Sequence, residues 1–204
     1  MERKHGPLPD LRVGDIVLVR MKRGGLMRRF LRSVTGSYWD HACLVIFPHD
    51  LSKGHKHDII IEALQTGLVT GLRQGVAMHL LSRYLNDPER YDVGICRIEW
   101  LDEITRKKMR SYALMNVDSP YYPLSFTKVF LALTSPWSRQ RFSYRQRFSC
   151  SGLVQKALFE AVPENRRRRI LFKPGYTPMQ ALDTVSPGDI ARSQTVTWVW
   201  NKHL

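Results

Sequence analysis

The 204 residues fit one ordinary domain and leave little room for a second core. With 43% hydrophobic, 10% aromatic and 25% charged residues, the composition excludes a disordered, collagen-like or disulfide-scaffold chain. The 32 Lys and Arg against 18 Asp and Glu leave a net charge of +14, which predicts an anionic partner or surface without naming it.

Residues 1–15 (MERKHGPLPDLRVGD) are partly basic but lack an apolar h-region and a small-residue cleavage site. No secretory signal is read there, so a cytoplasmic location is expected, with signal-less export left open. The first strand is predicted over Asp15 to Arg20 (DIVLVR), followed by Ala42 to Phe47 (ACLVIF) and Ile59 to Ala63 (IIIEA), short apolar runs bounded by Gly, Asp or Pro. None approaches the roughly 18 apolar residues of a membrane-spanning helix, so no transmembrane segment is expected. Met78 to Leu85 is read as a short helix, Asp92 to Trp100 (DVGICRIEW) as a strand, and Leu101 to Val117 as a helix. In SCSGLVQKALFEA, Leu153, Val154, Ala157, Leu158 and Ala161 form one helical stripe, with Ser149 as N-cap and Cys150 in the first turn. Thr177-Pro178 reads as a further helix start leading to Val185. Strands early and helices late predict an α+β domain, a mainly antiparallel sheet packed against helices.

Three basic clusters contain no acid: Arg20 to Arg32, Arg139 to Arg147, and Arg166 to Arg169. They are either a solvated positive face or a contact for phosphate groups. In the first, Leu26, Met27, Phe30 and Leu31 alternate with Arg28, Arg29 and Arg32, which suits a segment lying on an anionic membrane. Arg145 and Arg147 extend the same role to the second cluster. No nucleic-acid-binding signature accompanies them, so nucleic acid is the weaker partner.

Cys43, Cys96 and Cys150 are odd in number and form no CxxC pair, which argues against a disulfide framework and a structural zinc site and for free thiols in a reducing compartment. Cys43 and Cys96 lie in apolar strands and read as packing residues. Cys150 is different, because the free N–H groups and dipole of a helix N-terminus favour a thiolate. Those N–H groups, of Cys150 and Ser151, also suit a developing oxyanion. A buried structural cysteine is the competing reading. His41 opens a strand beside a loop, a good place for a base. His49, His55 and His57, with Asp50 and Asp58, sit in a Lys- and Gly-containing stretch that reads as an exposed connection, and no metal or cofactor is assigned. Glu62 follows three large apolar residues: either alternation turns it to solvent, or it accepts a hydrogen bond from His41 and fixes its tautomer.

In the order GDIVLVR, YWDHACLVIF, IIIEA, CRIE and RFSCSGLVQKAL, the chain resembles the permuted papain-like cysteine hydrolases of the YaeF/YiiX and YebB type. These are relatives of NlpC-type peptidases and lecithin:retinol acyltransferase-like enzymes. The resemblance implies a circularly permuted papain-like fold over residues 1–204, with its core at about 13–161 and a C-terminal extension over about 162–204. It implies Cys150 as nucleophile, His41 as base and Glu62 as orienting group. Tyr121 stands where many relatives have the first residue of a Tyr-Asp step, and with Tyr38 and Trp39 it is a candidate substrate contact. The implied activity is hydrolysis or acyl transfer on an amide or ester carbonyl, the substrate being a lipid acyl group or a cell-wall-type peptide amide. The rival reading is an inactive papain-like module that binds an anionic membrane or nucleic acid through its basic face.

Overall fold

Six strands make one antiparallel sheet in the computed structural model, which describes residues 8–23, 32–33, 36–54, 56–64, 75–120, 148–172 and 185–201. They are β1 (Ile16–Met21), β2 (His41–Phe47), β3 (Ile59–Leu64), β4 (Gly75–Leu80), β5 (Tyr91–Arg97) and β6 (Thr197–Asn201), in the order β4-β3-β2-β1-β5-β6. Every neighbouring pair is antiparallel. Among the described residues the α-helices that accompany them are α1 (Ser82–Leu85), α2 (Glu103–Met115), α3 (Cys150–Ala161) and α4 (Pro187–Arg192).

The strand runs are apolar without alternation because the centre of the sheet is covered on both sides. Ile16, Leu18, Ala42, Leu44, Ile46, Ile61 and Ala63 share a core with Met109 and Ala113 of α2 and with Leu153, Val154, Ala157 and Leu158 of α3. The alternate residues Val17, Val19, Cys43, Val45 and Ile60 pack with Leu81, Tyr84, Tyr91 and Val93 on the other face. Leu153 is wholly buried, so truncating it to Ala costs about 3 kcal/mol.

The helix starts follow local chemistry. Asp102 accepts from Thr105 N at 2.7 Å, and Ser149 accepts from Gly152 N at 3.0 Å, the cap expected for α3. A capping box between Ser186 and Asp189, with Pro187 just inside, starts α4. At the far end of the sheet, the guanidinium of Arg97 donates twice to the buried Asp15 carboxylate, at 2.8 and 2.7 Å. Arg106 closes the backbone carbonyls of Val13, Ile98 and Leu101.

Four of the described elements differ from expectation: β4, α1, α4 and β6. The stretch expected as a helix over Met78 to Leu85 is strand through Leu80 and a single helical turn after it. Pairing with β3 from Ile59↔Leu80 to Leu64↔Gly75 outweighs the weak helical tendency of so short a run. β6 (TWVWN) and α4 were not foreseen; β6 pairs with β5 and closes that edge of the β1–β5 ribbon. The expected helix from Thr177-Pro178 falls almost wholly outside the described residues. No helix among the described residues is long and apolar enough to cross a membrane.

Candidate active site

His41 is the first residue of β2 and shares a face with Cys43 and Val45. Glu62 lies in β3 on the same face as Ile60, at 0% exposure. Cys150 is the first residue of α3, which packs on the opposite face. The imidazole joins the two sides at the start of β2. Its Nε2 is 2.6 Å from Glu62 Oε2, and Cys150 is near enough for the imidazole and the thiol to shift each other's ionisation.

Glu62 is a buried carboxylate with a donor on every side. Oε2 accepts from Tyr84 Oη at 2.6 Å and from Cys43 Sγ at 3.3 Å, besides His41. Oε1 accepts from an Arg83 guanidinium nitrogen at 3.1 Å. His79 Nδ1 lies 2.8 Å from Oε1 at ion-pair distance, without hydrogen-bond alignment. Burial pushes the Glu62 carboxyl up, and the hydrogen bonds from His41 and Tyr84, with the His79 ring close to Oε1, reverse this and hold it well below the usual carboxylate range. It is a fixed anion.

Burial works against the imidazolium form of His41, but its polar surroundings, among them the Glu62 carboxylate at 2.6 Å and the Cys150 thiol, outweigh it and hold the imidazole well above its ordinary value. Burial also opposes a Cys150 thiolate. Against it stand the His41 hydrogen bond and charge and the backbone N–H groups of Ala42 and Ser151, which donate to Sγ, and the net shift is downward. Cys43 has the opposite fate: burial and the adjacent Glu62 charge push it up to about 12, so it stays a neutral thiol. Cys96, buried near Asp15, is raised as well.

The remaining expected site residues are distributed differently. Tyr38 is 39% exposed and lies under the Arg20 guanidinium, 4.1 Å from its ring centre, with its hydroxyl on Asp92 at 2.9 Å. Trp39 is buried against Trp198, with ring centres 5.7 Å apart, over Gly94. It shapes the segment leading into His41 from within the core. Ser151 presents its N–H to Cys150, while its hydroxyl donates to Val185 O at 2.6 Å. Arg32 pairs with Asp40 at 3.3 Å and is turned largely inward. Tyr121, Arg28, Arg29, Arg145 and Arg147 lie outside the described residues.

Tyr84, Arg83 and His79 were not foreseen as site residues. Reading Met78 to Leu85 as one helix concealed them, whereas alternation through β4 places His79 beside Glu62. His41, Cys43 and Glu62 set one potential donor atom each within 4.8 Å of one another. These atoms already bond to each other, Cys43 is protonated, and Arg83 adds a cation, so the cluster fits a hydrogen-bond network better than a metal ion. No family model and no curated protein matches the sequence.

Proposed function

We propose that the protein is a thiol hydrolase or acyltransferase with Cys150 as nucleophile, His41 as acid and base, and Glu62 as orienting group. The observation that carries this is the placement of His41 between a fully buried anion and a thiol at a helix start. The sequence order, a strand His, an acid on the next strand and then a Cys opening a helix, supports a permuted papain-like fold within the α+β architecture.

In this reading the Cys150 thiolate attacks the carbonyl carbon of an amide or ester, and a C–S bond forms as the carbonyl π pair moves to oxygen. Backbone N–H groups at the start of α3 face that oxygen. Collapse of the tetrahedral centre breaks the C–N or C–O bond, and His41 gives its proton to the departing amine or alcohol. Water or an acceptor amine then loses a proton to His41, attacks the thioester and releases Cys150. Glu62 holds Nε2 throughout, which keeps Nδ1 aimed at the reacting atoms.

The substrate class we favour is a lipid acyl group at an anionic membrane surface, on the ground of the mixed basic and apolar sequence of residues 26–32. A cytoplasmic, membrane-peripheral location accords with three unpaired cysteines. Incubation with 4-nitrophenyl acetate tests the chemistry: a burst of nitrophenolate near one equivalent and an acetyl group on Cys150 by peptide mass spectrometry are expected. Both vanish in Cys150→Ala. An absent burst, with Cys150 alkylating no faster than Cys43 and Cys96, overturns the reading. Faster cleavage of wall-type peptides than of acyl esters in anionic vesicles overturns the substrate choice.

A further inference from the structure

The two oxygens of Glu62 have different partners. Oε2 faces the reacting side, through His41 and Tyr84, both at 2.6 Å. Oε1 has Arg83 as its aligned donor, at 3.1 Å. Arg83 and Tyr84 are consecutive residues of α1, so one helical turn grips the carboxylate by both oxygens. The Arg83 side chain is 19% exposed and lies over the Tyr84 ring, 5.1 Å from its centre. A guanidinium does not titrate in the working range, so this is a permanent charge. One carboxylate therefore serves two cations whenever His41 is protonated.

We propose that Arg83 is a positioning residue that shares Glu62 with His41 and thereby lowers the pH up to which His41 remains protonated. The inference deepens the thiol-enzyme reading and rests on it for its catalytic meaning. Its sign follows from charge alone. With Arg83 neutralised, Glu62 acts undivided on the imidazolium, which then keeps its proton to higher pH. The groups around His41 and its partner Glu62 are Cys43 on β2, His79 on β4, Arg83 and Tyr84 on α1 and Cys150 on α3. The β1 partner of His41 is the apolar Val19. Cys43 and Tyr84 stay neutral across the working range, which leaves Arg83 as the cation of fixed charge.

The test uses the full chain in a Cys150→Ala background, where His41 titrates without the thiol. Its ring shifts are followed against pH by NMR, assigned with His41→Gln, and repeated with His79→Gln so that protonation of that ring does not contribute. Arg83→Met and Arg83→Gln are expected to raise the His41 midpoint by about one pH unit, and Arg83→Lys to leave it within a few tenths. The Gln variant retains a polar side chain should Met impair folding. An unmoved or lowered midpoint in the neutral variants overturns the proposal. A merely structural role would reduce melting temperature without this charge-dependent pattern. Failure here is separate from failure of the thiol-enzyme reading, which is measured on Cys150 in the otherwise intact protein.

Discussion

Replacing Glu62 by Gln keeps the shape of the side chain and removes the charge that organises the network. Glu62 is completely buried and accepts from His41, Tyr84, Cys43 and Arg83. A carboxamide has one oxygen, so either His41 and Tyr84 or Arg83 would face an NH2 group. Breaking a buried ion pair from one side costs about 3–5 kcal/mol. Arg83 is partly exposed and can turn toward water, which places the expected loss near the lower end, about 3 kcal/mol. In a chain of this size that lowers the melting temperature by about 6–12 °C. The pH dependence has a definite sign. The folded Glu62 carboxyl lies below its unfolded value of about 4.3, so its contribution is complete above that value and is lost as pH falls through the folded one. The share of the stability gap that comes from Glu62's own ionisation is therefore flat from neutrality to about pH 5 and closes only in stronger acid. Urea unfolding at a series of pH values measures the gap. Cys150 alkylation on the same samples should slow about tenfold at pH 6, because the imidazolium that stabilises the thiolate loses its anion. A variant within about 0.5 kcal/mol of the parent, with Cys150 alkylation unchanged, refutes the assignment of Glu62 as orienting group.

Gly94→Ala places a Cβ 2.7 Å from a Trp198 ring atom and 2.8 Å from Trp39, two rigid rings, so a loss of about 1–3 kcal/mol is expected in a fluorescence-detected melt. Ser149→Ala removes the acceptor for Gly152 N and should cost about 1 kcal/mol. Cys150 should keep its alkylation advantage in that variant, since Ala42 and Ser151 supply the N–H groups at Sγ. Cys43, raised to about 12, should resist iodoacetamide at pH 8 in the folded protein and react only after unfolding, as read by peptide mass spectrometry.

The central strands and α3 were legible because each is long and strongly patterned, with Ser149 marking the helix start. The site was legible in part. Cys150 and His41 stand at the ends of such elements, where a side chain reaches another layer. Glu62 was ambiguous, because a single strand cannot reveal whether its second face is covered. That face is closed by Leu81 and Tyr84, residues that follow β4 and are recognisable only once β4 is paired with β3. The turn from strand to helix at Leu81 was missed for the same reason: six residues of β4 and four of α1 are each too short to show a period of their own. β6 depends wholly on its partner β5, and a five-residue run near the end of the chain carries no independent signal.

The three cysteines separate burial from reactivity. All three are buried, so loss of water alone would make each a neutral thiol. Cys43 has Glu62 as its charged neighbour, and Cys96 lies near Asp15; both anions add to the effect of burial. Cys150 meets an imidazole and two backbone N–H groups, and these reverse it. The stability linkages then oppose each other. The lowered Cys150 contributes fully above the ordinary thiol value of about 8.5 and loses that contribution as pH falls through its folded value. The raised His41 contributes fully below about 6.5 and loses it as pH rises through its own. Because the two groups act on each other directly, these limits belong to the pair and not to either residue alone. In the proposed scheme Glu62 stabilises the imidazolium and carries its limit to higher pH, and Arg83 draws that limit back. In that scheme the ionisation of His41 is governed from β3 and α1, whereas the thiol it faces is carried by α3 on the opposite side of the sheet.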